Sequence, residues 1–340
     1  MNPIKLTFSD FPGPCNPEGI LRLLKQHFQV IVDNRTPDYV IYSVFGYQFL
    51  DFPDAIRIFF TGENVHPDFN LCDYAFGFDW MQLEDRYCRC PNYVFYEEFR
   101  HLCKVKRSTS NFGVCSRQKK RFCNFIYSNA NAHPFRARLF ERICHYKRVD
   151  SAGPYLNNTG FCPGSGLPFW QSTREKVAFQ RECKFSIAVE NSSTIGYTTE
   201  KLVHALAADT IPIYWGNPEV GREFNTKRFI NCHEFDSLDA IVKRIQEIDK
   251  DEALYLKILG EPFFVNEEVP KDLKEETIVA QFRHIFSTGS TAARRDRHVW
   301  GKIYEEQRKR EIRPSLRDWL NYRYGAFRKT LIQKLPKLPR

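Results

Sequence analysis

FSIAVENSSTIGYTTEKLVHALAADTIPIYWG, Phe185–Gly216, reads as strand, loop, helix and strand in quick succession. Phe185–Val189 is an uninterrupted apolar run of the kind that forms a strand buried on both faces. It ends at Glu190-Asn191, and a polar loop containing Gly196 follows. Thr199 is placed to open a helix that runs to Ala208, and Ile211–Trp215 makes the next strand. Open α/β sheets bind ligands beyond the carboxyl ends of their strands, beside helix N-termini that favour negative charge. Tyr197, Glu200 and Lys201 fall at that edge. A carboxylate there can accept ribose hydroxyls, and a lysine can neutralise a diphosphate. The plainer alternative is that Glu200 only caps its helix and Lys201 is solvated.

The same grammar extends in both directions. Upstream, Ile4–Phe8, Phe28–Val32, Tyr39–Ser43 and Arg57–Phe60 read as buried strands, with a helix over Pro17–His27. Lys104–Lys120 is polar, basic and linker-like. The pattern then restarts with a strand at Arg121–Tyr127 and a helix at Arg136–His145, and beyond the quoted stretch a helix covers Ser237–Ile248. This βα alternation implies two Rossmann-like α/β domains facing a cleft. The expected divisions are 1–115, 116–290 and a basic helical tail, 291–340.

Composition narrows the function classes. The chain has 340 residues, 42% of them hydrophobic and 27% charged, as globular chains do. Its net charge is +9, yet residues 291–340 hold 15 Lys/Arg against 5 Asp/Glu, while the rest holds 35 against 36. A neutral body with a basic tail is not the signature of a nucleic-acid binder. Leu316, Trp319, Leu320, Phe327, Leu331 and Leu335 recur in the tail near helical spacing, which suits an anionic membrane surface or packing on the body. No run approaches a membrane span, and the N-terminal residues lack signal-peptide character, so the expected location is cytoplasmic, at most peripheral to the membrane.

The 11 cysteines show no disulfide framework, and Cys88 and Cys90 have no matching second pair for zinc. Asp249-Lys250-Asp251 follows a helical pattern rather than a strand and reads as a solvated helix boundary. Gly164-Ser165-Gly166 lacks the strand–helix context of a dinucleotide fingerprint and reads as a loop. No metal site is expected.

The quoted stretch resembles the signature of the α-1,3/4-fucosyltransferases, glycosyltransferase family ten, through Glu190, Asn191, Ser192, Tyr197, Thr199, Glu200, Lys201, Ile211 and Pro212. DFPGPCNPEGILRLL (10–24), PDYVIYSVFG (37–46), FFTGENVHPDFNLCDYAFGFD (59–79), DRYCRCPNY (85–93) and SNANAHPFR (128–136) are similar to further blocks of that family. Without a membrane anchor or stem, the chain looks most like the bacterial members. The resemblance implies a GT-B-type architecture and transfer of fucose from GDP-fucose, with inversion and no required cofactor. It implies an oligosaccharide acceptor, by default N-acetylglucosamine of a lactosamine unit, giving a Lewis-type product. It implies Glu190, Asn191, Tyr197, Glu200 and Lys201 as donor contacts, with Arg136 on the diphosphate and Arg138 as the competing choice. Glu63 of TGEN is implied as the base, and Asp68 and Asp73 are the nearby alternatives. Apart from the resemblance, Glu63 reads as an ordinary solvated loop carboxylate. A different sugar nucleotide, an α-1,4 linkage or a silent glycan-binding homologue are the rival readings.

Overall fold

The computed structural model describes residues 3–13, 15–105, 119–288 and 299–312. The linker-like segment and the tail beyond 312 lie almost wholly outside these residues.

The first unit comprises β1 (Ile4–Ser9), α1 (Cys15–His27), β2 (Val30–Val32), β3 (Tyr39–Tyr42), β4 (Ile56–Phe60), β5 (Tyr74–Gly77), β6 (Tyr87–Arg89) and α2 (Glu97–Lys104). Its strands form a six-stranded sheet in the order β2-β1-β3-β4-β5-β6, and every pairing is parallel. The second unit begins with β7 (Arg121–Phe125), α3 (Phe135–Cys144), β8 (Val149–Ser151), α4 (Phe169–Arg181) and β9 (Cys183–Val189). It continues with α5 (Glu200–Ala207), β10 (Ile211–Trp215), β11 (Ile230–Asn231), α6 (Leu238–Lys250) and α7 (Glu252–Gly260). Its five strands are also parallel, in the order β11-β10-β9-β7-β8. The central strands are apolar on both faces because helices cover both faces, as parallel sheets require.

Each sheet has one place where the winding direction reverses. In the first it lies between β1 and β3, and in the second between β7 and β9. Crevices open at such points, outside the carboxyl ends of the strands. The residues just beyond those ends are Pro12 and Phe45 in one unit, and Tyr127, Ser128, Asn129 and Asn191 in the other. All of them line a single cleft.

The units share an apolar core. Leu6, Ile58 and Phe76 of the first sheet belong to the same buried cluster as Leu202, Val203 and Leu206 of α5. After α7 the chain crosses back. α8 (Glu275–Ser287) buries Ile278, Val279, Phe282 and Ile285 in this cluster, and Phe282 stacks on Phe76 of β5.

α9 (Trp300–Ile312) is the only described part of the basic tail, and it is fastened to the body. Glu305 forms a two-pronged ion pair with the fully buried Arg57 of β4 at 2.9 and 3.0 Å. Tyr304 donates to Asp68, and Tyr304 and Ile312 pack on the outer face of the first sheet. The apolar pattern expected to suit a membrane surface or the body, Leu316 to Leu335, lies outside the described residues. The expectation of a solvated boundary at Asp249 is corrected. That carboxylate is buried and bonded by Lys184, Lys147 and Tyr146, which hold it below its ordinary pKa against the effect of burial.

Candidate active site

The cleft between the two switch points has a volume of about 340 Å³. Glu63, Arg136, Asn191, Tyr197, Glu200 and Lys201 all line it.

On the second sheet, β9 leads directly into Glu190, whose side chain is fully buried and does not reach the cleft wall. Its carboxylate accepts the Thr199 backbone N–H at 2.8 Å and the Thr199 hydroxyl at 2.7 Å. Thr199 therefore begins α5 without capping it through its own side chain, contrary to the simplest capping expectation. Glu190 also lies 3.1 Å from Lys201 Nζ, and Glu200 lies 3.3 Å from the same atom. Burial works against the Lys201 charge, but these two carboxylates hold its pKa well above the ordinary value. For Glu200, burial would raise the pKa, yet Lys201 and Lys176 outweigh it and hold the carboxyl well below the usual range. Burial dominates at Glu190 and shifts it upward despite Lys201.

Arg136 enters from the first turn of α3 and is buried. Its Nη2 donates to Val189 O at 2.9 Å and Asn191 Oδ1 at 2.8 Å, and its Nη1 to Asn129 O at 3.3 Å. Its guanidinium lies 4.1 Å over the Tyr127 ring, a cation–π arrangement. The Tyr127 hydroxyl is fixed in turn between Ile187 O and Val189 N. Arg138 is exposed and does not line the cleft.

Glu63 comes from the opposite wall, three residues beyond β4. It is half-buried, with its backbone N–H held by the Thr61 hydroxyl at 3.1 Å. Of the alternative bases, Asp73 is buried at the other end of β4, where it accepts the Arg57 N–H. Asp68 is engaged by Tyr304 and Asn70, and neither aspartate lines the cleft.

The loop from Asn191 to Thr198 leans across to the first unit. Asn64, next to Glu63, donates to Ser192 and Thr194 at 2.7 Å each. The Tyr197 hydroxyl donates to Gly62 O at 3.4 Å, and its ring meets Phe78 edge-on. Burial lifts the Tyr197 phenol well above its ordinary pKa, so it stays protonated as a donor. Gly196 takes φ +82, and a Cβ there would lie 2.7 Å from Phe78 O and 2.8 Å from Asp79 Cα, so the place has no room for one. Behind the loop, Glu223 is a buried hub bonded to Arg89, Tyr93, Thr198 and Asn217. It ties β6 of the first unit to the loop of the second.

Sequence reading missed Lys176, Tyr127, Asn129, Phe45, Tyr96 and Asn92 as cleft residues, and Glu223 as the hub. The position of Tyr127 and Asn129 just past a strand end was an available signal. For Lys176, on a helix not anticipated, there was none. Among the described residues no group of three or more His, Cys, Asp or Glu could hold a metal ion.

Comparison with known proteins places this geometry. Residues 6–96 match the α-(1,3)-fucosyltransferase FucT N-terminal domain, and residues 116–260 match the C-terminal domain of glycosyltransferase family 10 (fucosyltransferase). The chain belongs to glycosyltransferase family 10. It is 31% identical over 242 residues to α-(1,3)-fucosyltransferase FucT of Helicobacter pylori, covering 62% of this chain and 48% of that one. It is 28% identical over 134 residues to α-(1,3)-fucosyltransferase B of Drosophila melanogaster, covering 38% of this chain and 30% of that one. The chain thus spans about half or less of the length of these curated relatives. A crystal structure of an α1,3-fucosyltransferase with GDP-fucose superposes with a TM-score of 0.68 at 27% identity, over 84% of this chain and 91% of that one. The Anabaena protein HepE, solved with UDP-glucose, shares the fold alone, with a TM-score of 0.50 at 10% identity over 84% of this chain and 99% of that one. The expected GT-B-type arrangement of two parallel α/β sheets is the one the family 10 chain adopts.

Proposed function

We propose that this protein transfers fucose from GDP-fucose, with inversion, to N-acetylglucosamine of a lactosamine-type glycan through an α-1,3 linkage. The observation that carries the reading is the placement of Glu63 on one wall of a 340 Å³ cleft whose other wall presents Arg136, Tyr197, Glu200 and Lys201. The likeness to an α1,3-fucosyltransferase solved with GDP-fucose supports the donor. Residues 1–115 serve as the acceptor unit and 116–290 as the donor unit, with α8 joining the first sheet.

Glu63 takes the proton of the acceptor hydroxyl as its oxygen bonds to the anomeric carbon, on the face opposite the nucleotide. The anomeric carbon–oxygen bond breaks, and its electron pair leaves with GDP. Negative charge grows on the departing diphosphate, where Arg136, Lys201 and the N-terminus of α5 stabilise it. Glu200 and Asn191 orient the donor, and Glu190 acts through Thr199 and Lys201. No step requires a cofactor.

Incubation with GDP-fucose and a panel of lactosamine acceptors, with the linkage read by NMR, tests the reading. An α-1,3-fucosylated product is expected. Turnover only with another sugar nucleotide, an exclusive α-1,4 product, or glycan binding without transfer overturns it in favour of the corresponding rival.

A peripheral, cytoplasmic-face location is the second part of the proposal. Val299, just before α9, and Trp300 and Ile303 at its start are exposed to solvent, and the strongly basic sequence 313–340 follows the helix. No helix among the described residues is long and apolar enough to cross a membrane. Sedimentation with anionic vesicles should fall when the chain ends at Arg313. Unchanged sedimentation refutes attachment through the tail.

A further inference from the structure

The cleft holds three cations, Arg136, Lys176 and Lys201, and they differ in what their N–H groups are already doing. An ammonium has three donors. Those of Lys201 are matched by three acceptors: Glu190 at 3.1 Å, Glu200 at 3.3 Å and the Thr199 hydroxyl at 3.0 Å. Both terminal nitrogens of Arg136 are bonded to Val189, Asn191 and Asn129, while its buried Nε has no hydrogen-bond partner among the described residues. Lys176, on α4, lines the same cleft half-buried and makes no hydrogen bond or ion pair among the described residues. Half-buried at the cleft wall and engaged by no protein acceptor, the Lys176 ammonium keeps its N–H groups open to an anionic ligand in the cleft.

We propose that Lys176 is a direct ligand of the donor's diphosphate. This inference rests on the nucleotide-sugar reading above and adds a residue to it. Lys201 then acts chiefly by fixing Glu190 and Glu200 and by its field, while Lys176 supplies unspent N–H groups to the phosphate oxygens. The charged and titratable groups acting with it are Glu200, Lys201 and His204 on α5, Glu190 at the end of β9 and Glu98 on α2. Burial lowers the pKa of Lys176 from its ordinary value, Lys201 adds to that, and Glu200, Glu190 and Glu98 oppose it. A bound diphosphate favours the ammonium, so binding takes up a fraction of a proton and weakens as the pH rises through the range where free Lys176 deprotonates.

The test is calorimetric titration of GDP into the full chain, from pH 7 to pH 10 and in buffers of different ionisation enthalpy. Lys176→Met should weaken GDP binding about ten- to hundredfold, the range for a lost charged hydrogen bond. It should also remove the alkaline loss of affinity and the proton uptake. Lys176→Arg, charged throughout, should stay within a few-fold of wild type at pH 7 and flatten the alkaline limb. If Lys176→Met fails to fold, the pH profile of Lys176→Arg decides. GDP binding that neither variant alters, in affinity or pH dependence, overturns the Lys176 assignment and leaves the donor reading standing. Failure of wild type to bind GDP overturns the donor reading itself, and the assignment with it.

Discussion

Replacing Glu305 by Gln should unfasten α9 from the body, and the structure sets the size of the effect. Arg57 is fully buried in β4, and Glu305 is the carboxylate that meets its guanidinium, through two bonds of 2.9 and 3.0 Å. Lys309 adds a bond of 2.7 Å to the same carboxylate. Burial would raise the Glu305 pKa, but the bonds from Arg57 and Lys309 bring it from 4.5 to about 2. That difference corresponds to about 3 kcal/mol of stability at neutral pH. The same figure follows from the about 3–5 kcal/mol lost when a buried pair is broken from one side. A depressed carboxylate pKa contributes stability above its unfolded value, and the contribution fades as the pH falls toward the folded one. The gap between wild type and Glu305→Gln should therefore be full above about pH 5 and close progressively toward pH 2. Urea unfolding across that range reads it directly, and at neutral pH the melting temperature should drop by about 4 °C. Arg57→Met combined with Glu305→Leu should recover much of the loss, because the pair's desolvation cost disappears with it. A variant within about 0.5 kcal/mol of wild type at pH 7, or a gap independent of pH, refutes the reasoning and releases α9 from the body.

Three further outcomes are expected at the cleft. Glu63→Gln should lower turnover by about 10²- to 10⁴-fold with GDP affinity nearly intact, and wild-type turnover in that variant removes Glu63 as the base. Lys201→Ala and Arg136→Ala should each weaken GDP binding in calorimetry, and unchanged affinity in both removes them from the phosphate site. The second should also lower stability, since Val189 O loses a bonded partner. Gly196→Ala forces a Cβ to within 2.7 Å of Phe78 O at φ +82. It should cost about 1–3 kcal/mol and shift the loop that carries Tyr197, seen as lower thermal stability together with lower turnover; unchanged values for both refute the tight approach.

The strands and helices around the quoted stretch were legible because their determinants are local. Phe185–Val189 and Ile211–Trp215 are apolar throughout, and the observed strands are Cys183–Val189 and Ile211–Trp215. The helix expected at Thr199–Ala208 spans Glu200–Ala207. β5, β6, β8, β11, α2, α4 and α8 escaped notice. The four strands are two to four residues long, and α4 has little apolar periodicity to announce it. Arg57 looked like an ordinary strand residue, and its burial is explained only by Glu305, 248 positions away.

The amino-acid sequence by itself determined that residues 185–216 form strand, loop, helix and strand, and that Glu200 and Lys201 stand at the helix start. Hydrophobic runs and turn residues act over a few positions, and those few positions suffice. Only the tertiary structure decided what these residues face. Glu190 turns inward to Lys201, Arg136 rather than Arg138 reaches the cleft, Glu63 meets the donor wall across it, and Lys176 arrives from another helix with its donors unspent. Those relations depend on strand order and on the packing of two sheets against each other. Such distances are set by the shared core rather than by any stretch of neighbouring residues.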